Sequence, residues 1–547
     1  MTPEALTRTL QQFLSEASGA VVLEDGAVTF DLVQARYSIS GEYDKCLLHL
    51  WSAERNTVRR VLDAEVKSGT LRLAVQRMGQ ARPTKLEICR ERDRRSPTAK
   101  RAARISYEAK LRRALERCLP GFAVARLTST VDLEKSFGPI YARGVVTRGQ
   151  SAYAVLGVNE KETQASIDAA LTFGILWMEV CRETPQRQNP HLSPQRARRE
   201  VGHPTSLVEG LFLFVPRGCA AVARERMAHL NRAAAKWRLF EFDERDDTVV
   251  EVDCSDRGNV ATRLVHAVNE GAARERFAES IGRINAILPN CEVAVLSGAE
   301  IAFRWRGLEF ARARLGGENP RFWQHRPEVG HPDRSRSGQE IVFGVGAEER
   351  VLDQGNFAFF VQLLTALRER RHPYGPRQDA LFRMHSERWL ESLVVGDVSV
   401  VDERLERDAL FSQVPAFSAA DRAMIDVLTV TREGRLAVVE LKADEDIHLP
   451  LQGLDYWARV EWHHARGEFP RFGYFEGREL SAEAPRLFLV APELHVHPAT
   501  DVLLRYIAAE IEWEFVGIDE RWREGVKVVF RKRPDHDRRE IRVAVAG

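Results

Sequence analysis

Residues 425–457 read IDVLTVTREGRLAVVELKADEDIHLPLQGLDYW, and within them two acids, a lysine, a glutamine and a tyrosine stand at spacings that a metal-dependent phosphodiesterase needs. A phosphodiester resists hydrolysis because its own charge repels hydroxide and because the leaving oxygen must take up charge. A hard divalent cation relieves both by polarising the phosphate and lowering the pKa of a bound water. Mg2+ keeps several waters and takes only one or two protein carboxylates. Asp426 and Glu440 supply that donor type, with the carbonyl of Leu441 as a further oxygen. Lys442 would hold or help deprotonate the attacking water and offset charge in the transition state. Gln452 and Tyr456 would orient the phosphate or the water.

The elements that position these groups follow from local pattern. Residues 425–430 form a β-branched run, Glu433-Gly434 is a turn signal, and 436–441 is a second apolar run, so a β-hairpin is predicted. A side-chain period of two puts Glu440 and Lys442 on one face and Val439 and Leu441 on the other. From Leu449, apolar Leu454, Trp457 and Val460 fall at helical spacing, with Pro450 suited to the first turn. Gln452 and Tyr456, four apart, share a face of that helix.

The ordered set resembles the PD-(D/E)XK nuclease superfamily and, within it, the RecB-like and NucS-like branch, in which the Glu-x-Lys strand is followed by a helix carrying Gln-x-x-x-Tyr. Asp426 matches the motif acid, Glu440 and Lys442 the Glu-x-Lys pair, and Gln452 and Tyr456 the helix pair; no proline precedes Asp426. The family also places a glutamate on a helix before the hairpin. HSERWLESLV at 385–394 fits, with Glu387 preferred and Glu391 the alternative. The resemblance covers 382–516. It implies a restriction-endonuclease-like α/β core with a mixed central sheet flanked by helices. It also implies Mg2+, with Mn2+ as substitute, at Asp426, Glu440, Leu441 and Glu387, and DNA as substrate, which the N-terminal part would select; repair, junction or flap processing, and defence are all compatible. Two other readings are open: a surface ion pair on an edge strand, and a silent nucleic-acid-binding or interaction protein built on a nuclease fold.

A chain of 547 residues exceeds one compact core and predicts a multidomain α/β protein. Two stretches rich in Pro, Gly and Arg, 182–206 and 315–339, read as linkers. They divide a mixed α/β block of unknown fold (1–181), a middle α/β block (207–314), an amphipathic helical connector (340–381) and the nuclease-like region (382–547). The middle block is expected to carry a strand, a helix over 220–236 and further strands. The apolar face of the helix at 356–371 is expected to pack on the nuclease-like core. Residues 132–182 echo the C-terminal order of acid, strand, apolar strand and helix without its Glu-x-Lys. Either a degenerate, non-catalytic copy or an unrelated α/β segment accounts for that.

The net charge is +1, from 80 basic and 79 acidic residues, so a nucleic-acid surface would need local clustering. The helix after Pro97 offers Lys100, Arg101, Arg104, Arg112 and Arg113 outside a stripe of Ala103, Tyr107, Leu111 and Leu115; phosphates along this face, or intramolecular pairing with nearby acids, are the two readings. Seven scattered cysteines favour reduced thiols over a disulfide framework. His463, His464, His495 and His497 fit capping or exposed positions better than a metal site. No apolar run reaches the ~20 residues of a membrane span and the N-terminus lacks a signal-peptide pattern; a cytoplasmic protein is expected, and a homodimer is compatible.

Overall fold

The computed structural model describes the chain outside 17–19, 25–26, 33–34, 43–44, 52–55, 68–69, 77–82, 91–96, 133–136, 184–206, 256–261, 316–337, 346–348, 418–421 and 535–547. The described residues form a mixed α/β multidomain protein with four sheets. At the N-terminus, seven antiparallel strands run from Ala20–Glu24 to Thr84–Arg90. Alternation in TLRLAVQ turns Leu71, Leu73 and Val75 inward, against Leu6 and Leu10 of the helix Pro3–Glu16. No helix is long and apolar enough to cross a membrane among the described residues.

Two of the sheets share one plan. In the first, helix α1 (Pro97–Cys118) precedes strands β1 (Ala123–Thr128), β2 (Tyr141–Arg148), β3 (Ser151–Val158), β4 (Leu207–Pro216), β5 (Lys236–Asp243) and β6 (Thr248–Val252). These lie side by side in chain order. β1, β2 and β3 pair antiparallel, β3, β4 and β5 parallel, and β6 antiparallel on β5. Helix α2 (Ala170–Glu183) connects β3 to β4, and α3 (Ala221–Ala228) connects β4 to β5.

The C-terminal sheet repeats this. Helix α4 (Ser386–Gly396) precedes β7 (Leu405–Phe417), β8 (Arg422–Thr431), β9 (Leu436–Leu441), β10 (Arg486–Pro492), β11 (Trp513–Ile518) and β12 (Val528–Lys532), in the same order and with the same pairing senses. Helix α5 (Leu449–Ala465) follows β9, and the short α6 (Thr500–Leu504) follows β10. The central parallel strands are apolar on both faces because helices or neighbouring chain cover both.

The two units pack on each other. One hydrophobic cluster runs from Leu156, Ile175 and Leu213 to Leu454, Leu489 and Leu504. α2 packs on α6 and α5 on α3, a reciprocal pair of contacts. Arg226 of α3 grips Asp455 of α5 at 2.8 Å, and Arg505, just after α6, reaches Glu179 of α2 at 3.2 Å. Leu230 and Ile507 form an antiparallel bridge between the units.

Several expectations change. β3 and β4 are hydrogen-bonded neighbours, so the division expected at 182–206 falls within one sheet. Likewise Leu308–Leu315 pairs with Gln339–Phe343 across the stretch expected as the second linker. The helix expected over 220–236 stops at Ala228, where Asn231 caps a turn by accepting from the amides of Ala233 and Ala234, and β5 begins at Lys236. The helix Phe357–Arg370 buries Phe360, Leu364 and Leu367 on Phe310 and Phe343 of a five-stranded sheet, not on the C-terminal core. Its neighbour Arg371 is wholly buried and donates to the carbonyls of Leu381 (2.8 Å), Met384 (2.6 Å) and Arg306 (2.9 Å). At Gly307, whose φ of 75° favours glycine, a Cβ would collide with the Arg388 carbonyl. The five-stranded sheet thus fixes the start of α4.

Candidate active site

The hairpin and helix predicted around the Glu-x-Lys motif are present. Gly434 takes φ 80° in the turn between β8 and β9, and Thr431 pairs with Arg435 there. Val439 and Leu441 pack into one cluster with Trp389 and Leu390 of α4, while Glu440 lies on the opposite face with Val438, whose cluster includes Leu454 of α5. Asp426 is one step beyond the Val427↔Val439 pair and accepts the Leu441 amide at 2.9 Å. That bond ties the acid of one strand to the motif of the next.

Glu440 is 1% exposed and Lys442 7%. The Lys442 ammonium is 3.4 Å from a Glu440 oxygen and 3.6 Å from a Glu387 oxygen. The second oxygen of Glu440 is buried with no hydrogen-bond partner. Burial, then the charge of Asp426, push the Glu440 carboxyl well above the ordinary carboxylate range, and Lys442 only partly opposes this. Burial alone would lower Lys442, but the carboxylates of Glu440, Glu387 and Asp426 outweigh it and hold the ammonium charged. Burial and the charge of Glu440 likewise raise Tyr456, whose hydroxyl accepts from Gln452 at 3.2 Å.

Both glutamates of α4 belong to this cluster, in different ways. Glu387 faces Lys442. Glu391 is buried, accepts from Arg388 (2.8 Å) and Gln413 (2.8 Å), and has its carboxyl raised by burial and by Asp426. Gln413, across from Asp426 on β7, also donates to Asp426 at 3.4 Å, and its own carbonyl oxygen is buried without a partner. Its φ of 55° bends the strand so that one amide reaches two carboxylates. Sequence pattern did not reveal Gln413 or Arg388. Nothing in the run LFSQVPAF announces a left-handed residue, while Arg388 inside the RWLE segment carries only a salt-bridge spacing to Glu391.

Among the described residues, no group of three or more His, Cys, Asp or Glu side chains is gathered as a ready-made metal cage. The donor set nevertheless suits a hard cation. The charge of Asp426 adds to burial in raising the carboxyls of both Glu440 and Glu391, and one buried carboxylate oxygen lacks any partner.

The basic helix spends its cations within the molecule. Arg104 pairs with buried Glu162 at 2.5 Å, Arg112 donates to the Leu127 carbonyl at 3.3 Å and Arg113 reaches Asp247 at 3.3 Å. The side chains of Lys100 and Arg101 lie outside the described residues. His463 binds Glu468 (2.5 Å) and Thr262 (3.1 Å), His495 pairs with Glu520 (2.9 Å), and His497 caps the Ala499 amide (3.0 Å). All seven cysteines are free thiols.

The echo at 132–182 falls on β2, β3 and α2, and strand register sets its positions beside those of the C-terminal sheet. Leu156 pairs with Leu213, three residues before Pro216, as Glu440 pairs with Leu489, three before Pro492. Both prolines end the pairing of their strands with the next one, Pro216 with Phe242 and Pro492 with Ile518. Leu156 therefore stands where Glu440 does, Val158 where Lys442 does, and Arg143, paired with Leu156, where Asp426 does. Asp132 lies off the sheet, bridged to Phe137. In place of the charged set, β3 of the first unit holds apolar groups and β2 a buried guanidinium. No protein-family model, curated protein or solved structure matches this chain.

Proposed function

We propose that the protein is a metal-dependent nuclease of the PD-(D/E)XK type that hydrolyses DNA phosphodiester bonds at the β8–β9–α5 cluster. The observation that carries this reading is Glu440: an acid enclosed at 1% exposure beside Asp426, with one oxygen unpartnered and a charged lysine at hand. A buried carboxylate oxygen without a partner is costly, so an ordinary core would not keep one. A cation between the acids removes that cost.

Asp426 and Glu440 would hold Mg2+ or Mn2+, joined by Glu387 or Glu391 from α4 and the carbonyl of Leu441. The bound ion supplies Lewis-acid polarisation of the phosphate and a water of lowered pKa. Lys442, kept charged by its carboxylate neighbours, holds the attacking water and offsets charge at the phosphate oxygens. Tyr456 keeps its proton and, with Gln452, can donate to a phosphate oxygen. Gln413 and Arg388 fix the carboxylates behind the ion.

The test is cleavage of labelled single-stranded, duplex, flap and junction DNA with Mg2+ and with EDTA. The parent should cut at least one substrate with Mg2+ and none with EDTA, and Lys442→Ala should be slower by about 10³-fold. Lack of cutting on every substrate would leave a non-catalytic binding protein on the same fold, and equal cutting by the variant would overturn the assignment of the site.

A further inference from the structure

The first of the two matched units, residues 97–252, has no role in the chemistry proposed above, yet it is built into the second. We propose that it is a permanently attached, catalytically silent second subunit, so that the protein works as a monomer with one active site and cuts one strand per encounter. The pairing of the units rests on geometry alone; the single cut rests on the nuclease reading.

Three observations carry it. The first is the reciprocity of the contact. α2 meets α6 while α5 meets α3, and each connection is closed by an arginine on a carboxylate: Arg226 on Asp455, and Arg505 on Glu179. The bridge Leu230↔Ile507 joins equivalent chain positions just beyond α3 and α6. This is the pattern of a twofold interface, in which patch i meets j and patch j meets i. Here both patches belong to one chain, so the surface that a second copy would need is already covered.

The second is the chemistry of the silent half. Arg143, in the place of Asp426, donates to the carbonyls of Gly138 (2.9 Å) and Thr130 (2.6 Å) and lies over the rings of Phe137 and Trp177. With Leu156 and Val158 in the places of Glu440 and Lys442, that half offers a cation no carboxylate on the motif strands and a guanidinium that repels it.

The third is that the silent half reaches the catalytic one where it matters. Arg226 clamps Asp455, the residue before Tyr456, with Nε at 3.0 Å and Nη2 at 2.8 Å, while its Nη1 donates to the Asp168 carbonyl at 2.8 Å. Thr172 of α2 contacts His448, which stands at the N-terminus of α5, at 3.4 Å. The helix carrying Gln452 and Tyr456 is thus seated by the first unit.

The experiment has two arms on the full chain. Sedimentation equilibrium should give one chain mass, 62.0 kDa, across micromolar concentrations; a dimer would overturn the proposal. Supercoiled plasmid with Mg2+ should become open circle before any linear form, and diluting the parent with Lys442→Ala protein should lower the rate in direct proportion to the parent fraction. Direct linearisation, or a fall steeper than proportional, would overturn it. If the parent cuts nothing, the nuclease reading has failed and the single cut falls with it, whereas a monomeric mass would still support the internal pairing.

Discussion

Two units of one chain, 97–252 and 382–532, share strand order, pairing senses and connecting helices, yet they treat one position oppositely. Where the first puts Leu156, Val158 and an Arg143 held by backbone carbonyls, the second puts Glu440, Lys442 and Asp426. The first shows that this fold needs no charge at the positions of Glu440 and Lys442: Leu156 and Val158 are buried and pack in the same cluster as Val438 and Leu454. The second therefore carries its enclosed acids as a burden on stability that packing does not require, and a function that needs them is the physical reason for keeping them.

The sharpest break in the comparison comes from paired substitutions. Glu440→Ala should abolish cleavage, by about 10³-fold or more, while leaving the fold intact. Leu156→Ala, its counterpart, should cost about 2–5 kcal/mol of stability by cavity formation and leave the rate per folded molecule unchanged. Urea unfolding and cleavage assays on both proteins measure this, and exchanged phenotypes would refute the assignment of roles.

Next is the response of stability to pH and metal. Burial and Asp426 raise the Glu440 pKa, so the folded state binds that proton more tightly than the unfolded chain does. This contribution to stability is complete below the ordinary carboxylate range and is lost as pH rises through the shifted value. The metal-free parent should thus weaken over that rise, and Glu440→Gln should remove that part of the slope. Cation affinity should run the other way, falling with pH as Glu440 takes up its proton.

Arg226→Ala should cost roughly 3 kcal/mol, since it strands a mostly buried Asp455. Chemical denaturation would measure it. Gln413→Ala should reduce cleavage about 10–100-fold and weaken cation affinity without unfolding the protein, the signature of a residue that positions ligands. The smallest effect is expected from Arg113→Ala: its exposed pair with Asp247 contributes under about 1 kcal/mol, and DNA affinity should change less than about twofold.

Much of the C-terminal unit was legible because its signals are local. The β-branched runs, the Glu433-Gly434 turn and the helical spacing after Pro450 each depend on neighbours in sequence, and β8, β9 and α5 follow them. The face shared by Glu440 and Lys442 follows from strand pleat alone. What the pattern hid is long-range. Polar composition at 182–206 suggested a boundary, whereas β3 and β4 on either side are sheet partners. The basic helix after Pro97 carries a phosphate-binding pattern, but acids distant in sequence, Glu162 and Asp247, take Arg104 and Arg113. Gln413 depends on a backbone angle that no residue type encodes. The echo at 132–182 was visible as an order of elements, and only strand register reveals which residue replaces which.

The most direct measurement is calorimetric titration of Mn2+ into the nucleic-acid-free protein, comparing the parent with Glu440→Gln. The account predicts saturable binding with proton release in the parent and loss of that site in the variant. Equal binding by both proteins, or none by the parent at millimolar Mn2+, would contradict it.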